Sequence, residues 1–130
     1  MKAARQADPL LARCRRALAE HRRRARADGV TLPYGLAELL QLAGGTVQCG
    51  YCRLPVGFDF QVDHRTPTAR GGKHALGNLA VCCRTCNERK GRLTEAEFRQ
   101  LLELARAWHP AAAEDLLGRL RAGWGRYRRR

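Results

Sequence analysis

Two cysteine pairs of identical spacing, Cys49-x2-Cys52 and Cys83-x2-Cys86, constrain this 130-residue chain more than any other feature. A Cys-x2-Cys turn presents two sulfurs to one ion, and a tetrahedral zinc is satisfied by four thiolate or imidazole ligands. Two such turns close one four-thiolate site and tie the segment between them into a loop held at its base. A single domain of this length buries only a modest core, so such a staple matters. Six cysteines in a secreted chain would instead suggest disulfides. The sequence begins Met1-Lys2-Ala3-Ala4-Arg5-Gln6 without an apolar leader core, which favours zinc and a soluble, cytoplasmic protein. No run of residues is long and apolar enough to span a bilayer, so no membrane association is expected.

The formal net charge of +13 is unevenly placed. Residues 1–28 carry nine basic and three acidic side chains and residues 119–130 six basic and none acidic, whereas the stretch between holds ten against nine. A near-neutral centre between two cationic arms is the pattern of a chain that grips a phosphate backbone outside its reactive centre, although charge runs also serve as solvated faces.

Asp8 and Pro9 have the residue types of an N-cap and first helical position. Leu10, Leu11, Cys14, Ala17, Leu18, His21 and Ala25 then fall on one face at 3.6 residues per turn, with Arg16 and Arg23 central to the opposite arc and Gly29 as a stop. Cys14 and His21 therefore read as packing residues rather than ligands. A second short helix is expected over 34–43, ending at Gly44-Gly45. The alternation Phe58-Asp59-Phe60-Gln61-Val62 predicts a strand leading into Asp63-His64, and Leu79-Ala80-Val81-Cys82 the returning strand. In this reading Cys82 is a buried thiol. A helix starting near Arg84–Cys86 carries Asn87, Glu88 and Lys90. Thr94 and Glu97 form a capping box for a helix burying Phe98, Leu101, Leu102, Ala105 and Trp108, which His109-Pro110 ends. A weak last helix with Leu116, Leu117 and Leu120 precedes the arginine tail.

Between and after the cysteine pairs stand Asp63-His64, Gly71-Gly72-Lys73-His74, Asn78-Leu79 and Asn87-Glu88-Arg89-Lys90-Gly91. This ordered string, over about residues 46–98, resembles the HNH endonucleases of the zinc-stabilised ββα-metal kind. The resemblance implies an α+β fold, a small ββα-metal core on a four-cysteine zinc knuckle flanked by helices at both ends. One compact domain is expected, divided into a basic N-terminal helical extension (1–45), the nuclease core with its following helix (46–109) and a basic C-terminal helix and tail (110–130).

Phosphodiester hydrolysis needs a water deprotonated and the developing charge neutralised. Neutral imidazole suits the first task near pH 7, and hard oxygen ligands suit a divalent ion. By resemblance, His64 is the general base, Asp63 and Asn87 hold a catalytic Mg2+ or Mn2+, and Asn78 orients the loop or the His64 ring. Cys49, Cys52, Cys83 and Cys86 hold the structural zinc. Candidate nucleic-acid contacts are Arg65, Lys73, His74, Arg89, Lys90, Arg16 and Arg23. The implied partner is nucleic acid, by default double-stranded DNA cut with little sequence preference, with a monomer favoured and a bacterial or phage-infected cell as the setting. The alternatives are a branched-DNA nuclease of the endonuclease VII type, or a zinc ribbon that binds nucleic acid without cleaving it.

Overall fold

The computed structural model describes residues 8–46, 48–107 and 111. Helix α1 (Pro9–Ala27) starts where Asp8 Oδ1 accepts the amides of Leu10 and Leu11 at 3.0 and 3.2 Å. It stops at Asp28, followed by Gly29 with a φ of 71° that glycine adopts without strain. Helix α2 (Leu36–Gly44) packs on α1, its first turn tied by the Gly35 amide donating to Glu38 Oε1. Strands β1 (Gln61–His64) and β2 (Leu79–Cys82) form an antiparallel pair with Gln61 opposite Cys82 and His64 opposite Leu79. Helix α3 (Arg84–Lys90) follows and packs against β1, giving the expected ββα order. The Thr94–Glu97 capping box opens helix α4 (Glu95–Ala107), with both reciprocal amide bonds made.

β2 is buried on both faces, so its side chains divide the interior into two clusters. Leu79 and Val81 join Cys14, Leu18, Tyr34, Leu39, Ala43 and Phe60 from the helical side. Ala80 and Cys82 join Cys49, Tyr51, Cys86 and Phe98 beneath the cysteine turns. Cys14 and Cys82 are thus buried packing thiols, as expected. Phe58 departs from the expectation: it is 63% exposed and lies in a turn, and the strand begins only at Gln61. Two alternating residues before a strand look the same in sequence whether they belong to a turn or to the ladder. Within α4, Phe98 is buried and Leu101, Leu102 and Ala105 are half-buried. Trp108, the His109-Pro110 stop, the last helix and the arginine tail lie outside the described residues. No helix among the described residues is long and apolar enough to cross a membrane.

Candidate metal centre and catalytic cleft

Cys49, Cys52, Cys83 and Cys86 bring their four sulfurs within 4.8 Å of one another. A tetrahedral ion with Zn–S bonds of about 2.3 Å requires sulfurs about 3.8 Å apart, and Cys52 and Cys83 stand at 3.9 Å. The four cysteines are therefore placed for zinc binding. Backbone amides support the thiolates: those of Tyr51 and Cys52 reach Cys49 Sγ, and that of Cys86 reaches Cys83 Sγ at 3.3 Å. Burial alone would raise the Cys49 thiol, but amide donors outweigh it and bring the group down to about 7.

The cysteine turn does more than hold an ion. Tyr51 lies inside it, buried edge-on against Phe98 with ring centroids 5.4 Å apart, and donates its hydroxyl to Asp63 Oδ2 at 2.9 Å. Burial and the adjacent Asp63 carboxylate push the phenol well above its usual range, so it stays protonated and donates. Arg99 sits over the Tyr51 ring, 5.5 Å from its centroid, and donates to the Gly50 carbonyl. Lys90 completes the Asp63 environment. It is 1% exposed, and its ammonium lies 3.0 Å from both Asp63 Oδ2 and the His64 carbonyl. Lys90 was expected to reach a phosphate; it is instead turned inward from α3, on the same helical face as Cys86 four residues before it.

Because neighbouring strand residues face opposite ways, His64 points from β1 to the side away from Asp63, toward α1. It is 4% exposed, with its ring centroid 4.7 Å from that of His21 and 5.8 Å from that of His74. Burial, reinforced by His21, Arg24, His74 and Lys90, holds His64 down to about 4, so the ring is neutral at pH 7. His21 is buried, as its place on the apolar face of α1 predicted, but it packs on His64. Its Nδ1 lies 2.8 Å from the Tyr34 hydroxyl and its Nε2 3.2 Å from the Val62 carbonyl. The carbonyl can only accept, so Nε2 carries the proton and Nδ1 accepts from Tyr34. Burial lowers His21 as well.

A cavity of about 230 Å³ opens between α1 and the ββα unit, lined by Asp63, His64, Asn87, Arg13, Arg16 and Arg24 among others. A second, of about 360 Å³, shares Arg24, Asp63 and His64 with it. Arg13 is anchored to the Phe60 carbonyl and Arg24 to Glu20. The arginine face of α1 thus forms one wall of the cleft that holds the Asp63-His64 pair and Asn87.

The remaining candidates separate. Asn78 orients the loop and not the His64 ring: Oδ1 accepts from the Thr66 amide, and Nδ2 donates to the carbonyls of Thr66 and Lys73, all at 2.9 Å. Arg65, half-exposed, bonds the Leu79 carbonyl and pairs with Glu95. The His74 side chain is 6% exposed, with Nε2 2.7 Å from Asp28 Oδ2. Lys73 is exposed, Arg89 half-buried, and Arg23 exposed in an ion pair with Glu20. Tyr51, Arg24 and Asp28 carry no motif signal. Their roles arise from contacts between α1, the first cysteine turn and the strand ends.

A family model described as HNH endonuclease matches residues 49–103. No curated protein and no solved structure matches the chain.

Proposed function

Given that residues 49–103 belong to the HNH endonuclease family, we propose that this chain is a metal-dependent endonuclease hydrolysing DNA phosphodiester bonds, with His64 as general base. The observation that carries the reading is the convergence of Asp63, His64 and Asn87 on one cavity walled by arginines. Asp63 and Asn87 offer hard oxygen donors suited to Mg2+ or Mn2+. The donors on Asp63 both reach Oδ2, and Oδ1 takes no hydrogen bond among the described residues, which leaves it for a cation. Asp63 and Asn87 would hold such an ion, whose chemistry would be to neutralise charge on the phosphorane and the leaving 3′-oxygen.

The chain's own groups do the rest. His64, neutral at pH 7, takes the proton of the attacking water, and the products carry a 5′-phosphate and a 3′-hydroxyl. Lys90 and Tyr51 hold the Asp63 carboxylate in one direction. Arg16 and Arg24 face the backbone entering the cleft, while Arg23 and Lys73 extend the cationic surface beyond it. Backbone-directed charge of this kind favours duplex DNA without strong sequence preference. The four-cysteine site, having no open position, keeps its zinc structural.

The test is incubation of purified protein with supercoiled plasmid, linear duplex, single strand and a four-way junction under several divalent metals. Duplex cleavage that needs a divalent ion, and that falls roughly 10²-fold to 10⁴-fold in His64→Ala with DNA binding retained, is the expected result. Cleavage confined to the junction would replace the reading with a branched-DNA nuclease. Binding without cleavage of any substrate would make the chain a nucleic-acid-binding module.

A further inference from the structure

Among the described residues, the buried side-chain nitrogens without a hydrogen-bond partner are His64 Nε2 and His74 Nδ1. Buried polar groups are nearly always paired, so an orphan calls for a physical reason. These two belong to neighbouring rings, 5.8 Å apart between centroids and crossed at 79°. A direct N–H···N bond of about 2.9 Å would bring the rings closer than this, whereas two bonds of about 2.8 Å through one water span the separation.

His74 is fixed from its other side. Its Nε2 meets Asp28 Oδ2 at 2.7 Å, and a carboxylate oxygen accepts, so Nε2 carries a proton and Nδ1 is the ring nitrogen on which a lone pair can be presented. Asp28 occupies the C-terminal cap of α1, where the helix dipole disfavours a carboxylate. The helix dipole therefore gives no reason for an acid at this position, whereas the last-turn Arg24 and Arg26 and the contact with His74 do. The loop bearing His74 is held tightly. Asn78 binds the carbonyl of Lys73, and a side chain at Gly72 would come within 1.8 Å of the Thr66 carbonyl oxygen.

We propose that Asp28 and His74 are a positioning pair for His64: His64 Nε2–H donates through one water to His74 Nδ1, His74 Nε2–H donates to Asp28, and His64 Nδ1 is left as the proton acceptor. Every donor in this chain points toward the carboxylate, so each bond polarises the next. The arrangement selects one tautomer of His64 and fixes its ring, the service a carboxylate performs for a catalytic histidine in hydrolases. It rests on the reading of His64 as general base. Asp28 lies outside the segment 49–103 that the family model covers, so the device belongs to this chain's N-terminal helix.

The experiment measures single-turnover cleavage at saturating plasmid DNA for His64→Ala, His74→Ala, Asp28→Ala, Asp28→Asn and the double variant His64→Ala/His74→Ala, with DNA affinity and zinc content determined on each preparation. His74→Ala should lower the cleavage rate constant roughly 10-fold to 100-fold, the range for groups that orient a functional ligand, with DNA affinity unchanged. Added imidazole should restore part of the loss. Asp28→Asn, whose amide oxygen still accepts, should lose less than Asp28→Ala. The double variant should be no slower than His64→Ala, because a residue acting only through His64 has nothing left to contribute. A wild-type rate in His74→Ala beside an impaired His64→Ala overturns the pair and spares the base. Weaker DNA binding with an unchanged rate at saturation makes His74 a substrate contact and also overturns it. A wild-type rate in His64→Ala removes the base itself, and the pair with it. Should His74→Ala lose its zinc, the Asp28 variants, altered at a half-exposed helix end, carry the same test.

Discussion

Tyr51 donates its hydroxyl to Asp63 Oδ2 at 2.9 Å, so a residue inside the first cysteine turn holds the carboxylate of the Asp63-His64 pair. Removing that hydroxyl in Tyr51→Phe leaves the ring packing intact and takes away one of the two groups, Tyr51 and Lys90, that fix Asp63 Oδ2. The divalent-ion concentration giving half-maximal cleavage should rise roughly tenfold or more, with zinc content unchanged. A metal titration of cleavage beside elemental analysis checks both halves.

Lys90 is the buried partner of the same carboxylate. Lys90→Met keeps the length of the side chain but strands Asp63 beside a neutral group, and breaking a buried pair from one side costs about 3–5 kcal/mol. Tyr51 remains as a donor, so the lower end of that range is expected. Urea unfolding of the zinc-loaded protein should show the loss as a lower midpoint.

The cysteines divide by role. Cys49→Ser and Cys83→Ser should abolish stoichiometric zinc and unfold the segment around β2, since binding of such an ion is coupled to folding. Cys14→Ser and Cys82→Ser should retain one zinc per chain, because those thiols pack outside the four-sulfur cluster. Elemental analysis and circular dichroism separate the two groups.

Burial holds His64 down to about 4 against an ordinary 6.5, so between these values the unfolded chain binds a proton that the folded chain refuses. Stability should therefore fall as pH drops from 6.5 toward 4, by an amount on the order of a few kcal/mol. Comparing urea midpoints at pH 7 and pH 5.5 in wild type and His64→Gln, with zinc retention monitored, isolates this group. The variant should show the smaller decline.

Arg16 lines the cleft, whereas Arg23 is exposed and paired with Glu20. Arg16→Ala should make the log-log salt dependence of DNA affinity shallower by about 0.9 for each phosphate that the arginine neutralises in the wild type. Arg23→Ala should change it less, since Glu20 already neutralises part of that charge. Both effects should be similar on unrelated duplex sequences, because interactions with the backbone carry no base information.

Features fixed by neighbours in sequence are legible in the sequence. The Asp8 cap, the Thr94–Glu97 box, the bounds of β2 and the start of α3 depend on residues a few positions apart, as do the two cysteine turns. Features created by distant contacts are not. Lys90 follows a catalytic motif and is cationic, which suggests phosphate, yet only the packing of α3 on β1 shows that Asp63 claims it. His21 reads as one more member of an apolar stripe until α1 is laid against the end of β1. Tyr51 carries no sign that its hydroxyl reaches twelve residues ahead to an acid, and nothing in sequence relates Asp28 to His74.

The core that joins Cys14, Leu18, Tyr34, Leu39 and Ala43 to Phe60, Leu79 and Val81 makes the unit of folding larger than the unit of kinship. Residues 49–103 match the family model, but the face of β2 bearing Leu79 and Val81 would lose the cover of Cys14, Leu18, Tyr34, Leu39 and Ala43 if they were severed from α1 and α2. The segment is consequently a poor module for transplantation. Moved alone into another protein it would bring the zinc ligands and the Asp63-His64 pair, but neither the apolar cover over Leu79 and Val81 nor the arginines of the cleft wall, and a host would have to furnish a helix of matching shape and charge.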